Sequence, residues 1–310
     1  MKNRATVICA SGFGDGLLMM IAARRLQEVG YDVTVQSDAH AMLSPLFDGV
    51  TIEPFSGIDG YEKIIVENDN SKRCWDILEK RPAGCHFIFP TLSKRLEPNV
   101  CEDDYVCKGD HAMAHHVAKA MEGWTGTFSK GIGIYRPEIA RYQMVQKRVC
   151  IHPTSKDPMR NWSKHQFLTL AQNLSYEGFH PAFCVGPGED RDWGDFAVPK
   201  FDSIKELASF IYEAGYFVGN DSGLGHLASA LGVPTLTISG NPKRVKLWRP
   251  DWHTGDVVSL KVPLPNFKGI GMRWRDRFWQ PFVSSVRTMK TFRRLCDAKT
   301  ITPTYQEALA

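Results

Sequence analysis

Along most of the chain, short apolar runs alternate with longer amphipathic stretches. That rhythm predicts strand–helix repeats, and so parallel sheets with helices on both faces. Residues 6–10 read as a buried strand, 16–29 as a helix closed by Gly30, 32–36 as a second strand, and 63–66 and 86–89 as later strands. Helical spacing returns at 110–121, and the polar stretch 136–147 reads as a linker. Then the rhythm restarts. Residues 148–152 form a strand pattern, and Ser163 with Gln166 three positions on is a capping box that opens a helix to about Tyr176. Residues 182–185 read as a strand, Ser203 with Glu206 caps a further helix, and 216–218 and 235–238 complete a second sheet. A last helix is expected at 285–295, packing back across the domains. The division predicted is 1–145 and 146–310, two doubly wound α/β domains.

Composition narrows the class. With 310 residues, 43% of them hydrophobic, the chain can fill two ordinary cores, and it holds no low-complexity tract. A net charge of +4 suits an anionic ligand without demanding nucleic acid. The eight cysteines show no C-x-x-C pair and no zinc spacing, which points to free thiols in a reducing compartment. Ser11, Gly12, Asp15 and Gly16 interrupt the apolar N-terminal stretch before a secretory core could form, and no run approaches the roughly 18 apolar residues of a membrane span. The expected location is the cytoplasm, with peripheral contact at the inner membrane face.

Chemistry concentrates where strands end. At 216–234 a buried strand passes through Asp221, Ser222 and Gly223 into a short helix at 224–231, a junction that points free N–H groups and the positive end of a helix dipole at an anion. A phosphate or diphosphate would be held by the Ser222 and Gly223 N–H groups, with Asp221 toward sugar hydroxyls. His226, one turn in, faces either ligand or core. Pro234 closes the helix and starts the next strand. At the first strand exit, Gly12 and Gly14 begin a dinucleotide fingerprint, but Leu17 occupies the third glycine position and weakens a dehydrogenase reading. Phe201 is placed either over a nucleotide base or in the core. His111, His115 and His116 lack the carboxylate of a zinc helix motif, so no metal site is expected. Interleaved aromatics and cations from Phe267 and Lys268 through Met272–Trp279 to Arg287, Lys290, Arg293 and Arg294 suit bases with phosphates or an anionic lipid surface.

The run Asp221-Ser222-Gly223-Leu224-Gly225-His226-Leu227-Ala228-Ser229-Ala230-Leu231-Gly232-Val233-Pro234 resembles the D-[ST]-G-x-x-H-x-A-x-A-x-G-x-P signature of glycosyltransferase family 9, the ADP-heptose:lipopolysaccharide heptosyltransferase family. The resemblance implies the GT-B architecture, two Rossmann-like domains facing a cleft, with the donor in the second and the acceptor in the first. Gly12, Phe13, Gly14 and Asp15 look like the family's N-terminal turn, in which the acid takes a proton from the acceptor hydroxyl. Gly16 departs from the branched apolar residue usual there, and helix capping is the competing role for Asp15. The segment 152–163 is similar to the family's basic strand-exit loop, with Arg160 in place of the usual Lys to steady the leaving diphosphate and Thr154 and Ser155 offering hydroxyls. Glu189 matches the acid that holds ribose hydroxyls. Asp190-Arg191-Asp192 spells the D-x-D of the other, metal-dependent glycosyltransferase fold and is set aside. The family's C-terminal cysteine cluster is missing.

What the resemblance implies is an inverting, metal-independent transferase that uses a nucleotide-sugar donor, ADP-heptose first among them, needs no cofactor, and acts on a lipopolysaccharide-core or other glycan or glycolipid acceptor. The rival readings are a nucleic-acid acceptor on the same fold, a nucleotide-sugar epimerase and a non-catalytic nucleotide-sugar binder.

Overall fold

The computed structural model describes residues 3–135, 140–186, 189, 193–261 and 274–301. Contacts divide the chain into two units, Met1–Tyr135 and Arg136–Ala310.

The first unit runs β1 (Arg4–Ile8), α1 (Phe13–Glu28), β2 (Asp32–Gln36), α2 (His40–Leu43), β3 (Thr51–Glu53), β4 (Lys63–Glu67), α3 (Lys72–Lys80), β5 (Cys85–Phe89), β6 (Tyr105–Val106) and α4 (Met113–Thr125). Its six strands lie in the order β3-β2-β1-β4-β5-β6, all parallel. This is the order of a dinucleotide-binding sheet, and the chain reverses direction across the sheet between β1 and β4. Ligands of such sheets bind outside the carboxyl ends of the strands at that reversal.

The second unit runs β7 (Val145–His152), α5 (Lys164–Tyr176), β8 (His180–Phe183), α6 (Ile204–Tyr212), β9 (Ala214–Asn220), α7 (Gly223–Ala230), β10 (Thr235–Ser239), α8 (Pro242–Trp248), β11 (Gly255–Ser259), α9 (Trp274–Phe278) and α10 (Ser285–Ile301). Five parallel strands lie in the order β11-β10-β9-β7-β8, so here the reversal falls between β7 and β9. Gly219 fits this junction because a methyl group on it would come within 2.9 Å of the His152 carbonyl on the neighbouring strand.

The inner strands β4, β5, β9 and β10 are almost wholly buried, as expected where helices cover both faces of a parallel sheet, while the edge strands β3, β6 and β11 are only partly so. Helix starts follow their caps. Ser163 accepts from the Gln166 N–H, and Ser203 accepts from the Glu206 N–H while Glu206 Oε2 accepts from Asp202 N–H at 2.9 Å. Several boundaries differ from the sequence reading. Helix α1 begins at Phe13 rather than 16, because Gly12 serves as N-cap and Asp15 falls inside the first turn, where its charge complements the helix dipole. Gly16 sits under α2: a Cβ there would meet Leu43, so the missing side chain admits a neighbouring helix. Helix α4 starts at Met113, leaving His111 ahead of it, and ends on Gly126 at φ 79°. Strand β7 begins at Val145, inside the stretch expected to be linker, and β8 lies two residues earlier than expected.

Helix α10 packs on α5, β10 and β11. Trp279, Val283, Met289, Phe292 and Leu295 join Val149, Phe167, Phe183, Val218 and Ile238 in one core. No described helix is long and apolar enough to cross a membrane. None of the eight cysteines forms a disulfide.

Candidate functional site

In the second unit the reversal between β7 and β9 gathers most of the residues expected to hold a donor. Strand β9 runs into α7 with Ser222 as N-cap. No side chain caps this helix, and the Ser222 Oγ is buried with no hydrogen-bond partner. The first N–H groups of α7 are therefore not taken by a side-chain cap, as an anion site requires. Asp221, buried, pairs with Arg244 at 3.1 Å. Arg244 lies on α8, whose own N-cap, Asn241, accepts from the Arg244 N–H. The sequence reading missed this cation beside the α7 terminus. The one signal for it was a basic helix directly after a buried strand.

On the opposite side of the reversal, Thr154 donates to Glu189 Oε2 at 2.8 Å, and the same oxygen accepts the Gly186 N–H at 3.0 Å. Two residues assigned to separate tasks thus form one contact. Ser155 donates to Asn161 Oδ1 at 2.7 Å, with the Asp157 carbonyl 2.9 Å away. Arg160, in a 3-10 turn at Pro158–Arg160, is half-buried and reaches Asp157 at 3.5 Å. Asn220, the last residue of β9, ties these loops together. Its Oδ1 accepts the Trp162 N–H at 2.9 Å and its Nδ2 donates to the Pro153 carbonyl at 2.6 Å, both in the interior. Each of these bonds would leave a buried backbone group unsatisfied if removed, so Asn220 holds the β7 exit loop in register with α7.

His226 is buried, and burial, opposed by the Asp221 carboxylate, pushes its pKa down to about 4. The ring is a neutral edge packed at a right angle to Trp252, 5.7 Å between centroids. Its Nδ1 is buried with no hydrogen-bond partner. Phe201 packs against Phe210 at 5.3 Å.

In the first unit the reversal between β1 and β4 carries Gly12, Phe13, Gly14 and Asp15 at the opening of α1, all partly exposed. The Asp15 carboxylate folds back over Gly12 into the space a Cβ would fill, so that glycine is required for the acid's position. Beneath the turn lies Glu67, the last residue of β4, which the sequence reading also missed. Its Oε2 accepts the Ala10 N–H at 3.1 Å. Arg73 from α3 donates to the Cys9 carbonyl at 2.9 Å.

His111 and His115 stack at 4.0 Å, with His116 edge-on to both and hydrogen-bonded to the Tyr105 hydroxyl at 3.1 Å. No three His, Cys, Asp or Glu side chains among the described residues are placed to hold a metal ion. In the C-terminal stretch, Trp279 is a core residue rather than a stacking surface: its Nε1 donates to the Met159 carbonyl at 2.9 Å, and its ring lies against Gly240. Arg293 pairs with Glu177 and Arg294 with Asp256, whereas Phe278 and Phe282 are exposed. Asp190, Arg191, Asp192, Phe267, Lys268, Met272 and Arg273 lie outside the described residues, as does the side chain of Trp274.

Residues 111–268, half of the chain, match the family described as "Glycosyltransferase family 9 (heptosyltransferase)". The chain belongs to glycosyltransferase family 9. Among curated proteins, lipopolysaccharide heptosyltransferase 3 of Escherichia coli K12 is 25% identical over 179 residues, which cover 54% of this chain and 47% of that protein. The chain thus spans about half the length of this curated relative. A family 9 glycosyltransferase of Veillonella parvula shares the fold with a TM-score of 0.66 at 15% identity, covering 94% of this chain and 97% of that one. E. coli heptosyltransferase WaaC, solved with ADP-2-deoxy-2-fluoro heptose, aligns with a TM-score of 0.65 at 14% identity over 94% of this chain and 99% of that one. As a family 9 member the chain has the GT-B class of fold, two α/β units each built on a parallel sheet.

Proposed function

We propose that this family 9 protein is an inverting, metal-independent glycosyltransferase that moves heptose from ADP-heptose to a hydroxyl of a lipopolysaccharide-core acceptor, in the cytoplasm at the inner face of the membrane. One observation carries the reading: α7 opens from the reversal of the second sheet with no side-chain cap and with a buried, unpartnered Ser222 hydroxyl at its N-cap. A diphosphate is the ligand this arrangement suits. The named relatives favour heptose and ADP, since one is a lipopolysaccharide heptosyltransferase and another was solved with an ADP-heptose analogue.

In this reading the second unit takes the donor. Ser222 and Gly223 N–H groups, Arg244 and Arg160 stabilise charge growing on the departing diphosphate, a preorganised contribution on the order of 3 kcal/mol per donor. Glu189 and Asp221 accept from sugar hydroxyls, with Thr154 and Ser155 setting the loop. The first unit takes the acceptor beside Gly12, Phe13 and Gly14. Asp15 removes the proton from its hydroxyl as that oxygen attacks the anomeric carbon, and the anomeric configuration inverts as the diphosphate leaves. No cofactor and no metal take part, the cations and helix end supplying the charge a metal would bring.

The test combines ADP-heptose with a heptose-deficient lipopolysaccharide core, reading ADP release and product mass, with NMR for the anomeric configuration. D15A is expected to lower kcat by about 10²- to 10⁴-fold, the range for a positioned base, with ADP affinity unchanged. A folded D15A protein that turns over within a few-fold of the parent removes the base assignment. A rate that chelator abolishes removes metal independence.

A further inference from the structure

Glu67 stands out among the buried titratable groups that the proposed mechanism does not use. It ends β4, next to β1 at the reversal of the first sheet, and is 1% exposed. One carboxyl oxygen accepts the N–H of Ala10, the residue that leads from β1 into the turn of Asp15. The other, Oε1, is buried with no partner. An ionised carboxylate with one oxygen unsolvated and unpaired is expensive to bury, whereas the neutral acid is far less so.

The charges around it agree. Asp15 at the start of α1 and Asp69 just after β4 both bear on Glu67 with negative charge, and burial acts in the same direction more strongly than either. The Ala10 N–H opposes them, and the carboxyl is held well above the ordinary carboxylate range. Three thiols complete the surroundings. Cys9 just after β1 feels both Glu67 and Asp15, Cys107 after β6 feels Glu67, and Cys74 on α3 donates to the Glu67 carbonyl at 3.5 Å. The nearby cation, Arg73, is engaged by the Cys9 carbonyl, by Asp38 at 3.3 Å and by Asp69 at 4.0 Å.

We propose that Glu67 is a positioning residue for Asp15: as an uncharged acid it holds the turn through Ala10 and leaves Asp15 as the only anion of the pair. This rests on Asp15 being the base of the proposed reaction. Two carboxyls that influence each other share their protons as a unit, so removing the charge of one must ease ionisation of the other.

Infrared difference spectroscopy of the full chain reads this without turnover. A protonated-carboxyl band present at neutral pH is expected to vanish in E67Q, and in D15N to disappear at lower pH than in the parent. In kinetics, E67L is expected to lower kcat at least about tenfold with donor KM unchanged, as a misplaced reacting group does. E67Q keeps an acceptor oxygen for Ala10 without a charge and restores most of that loss. Absence of the band at neutral pH, a band that D15N does not move, or E67Q as impaired as E67L overturns the proposal. The infrared arm remains decisive where E67L fails to fold. An active D15A protein would instead remove the base assignment and leave the charge coupling readable, so the two failures are distinguishable.

Discussion

Where the first sheet reverses, the strand beside β1 ends in Glu67; where the second reverses, the strand beside β7 ends in Asn220. Each is the last residue of its strand, each is buried, and each reaches across to the backbone of the neighbouring strand's exit. The difference is charge. Asn220 donates and accepts at once, satisfying two backbone groups whatever the pH. Glu67 satisfies one group and is comfortable only while protonated. In the second unit burial instead makes His226, and with it His152, comfortable only while neutral. Glu67 and His226 therefore respond to pH in opposite directions. Glu67 contributes stability that is complete below its unfolded value of 4.5 and is lost as pH rises toward its elevated folded value. His226, with a folded value of about 4 against 6.5 unfolded, contributes stability that is complete above 6.5 and is lost as pH falls.

Exchanging the clamps is the strongest way to break this contrast. N220D puts a carboxylate oxygen against the Pro153 carbonyl, and at neutral pH a loss of about 3 kcal/mol or more is expected from unsatisfied and repelling groups. Acidification should recover part of it, as the protonated acid can donate to that carbonyl. Reciprocally, E67Q should flatten the alkaline loss of stability. Urea melts across pH check both, and an N220D protein as stable as the parent at pH 7 would show that the Asn220 bonds carry little. Next in size is H226N. In the parent the His226 contribution amounts to about 3 kcal/mol between pH 6.5 and 4, from the shift to about 4. The variant is expected to lose this slope whatever its constant offset, and an unchanged slope would place acid sensitivity elsewhere. Smallest is R244A, which leaves Asp221 without its 3.1 Å cation. Affinity for ADP by calorimetry is expected to fall about tenfold, or 1.4 kcal/mol, and more steeply at low salt.

The inner strands were legible because burial makes them apolar, as in β4 and β10, with ends shifted by a few residues at most. Strands β3, β6 and β11, at the sheet edges, are only partly buried and escaped. Helix α3 was not legible either, since in KRCWDILEK only Cys74, Ile77 and Leu78 are buried and charge masks the period. Helix α8 escaped for the same reason, with Val245 its one buried residue. Of the site, the α7 junction was readable because the chemistry there is local. Glu67 and Asn220 were not, because each works on groups 57 to 67 residues away and no short motif encodes that. A signal was present all the same: a lone polar residue closing an otherwise apolar strand has to find a partner inside the fold.

The placement of Trp279 against Gly240 has a practical consequence for anyone dissecting the protein. The family match stops at residue 268, yet Trp279, Val283, Phe292 and Leu295 complete the interior of the second unit. An excised fragment trimmed to the matched segment would expose that interior and precipitate, whereas a fragment beginning at 136 and retaining 274–301 keeps its own keystone.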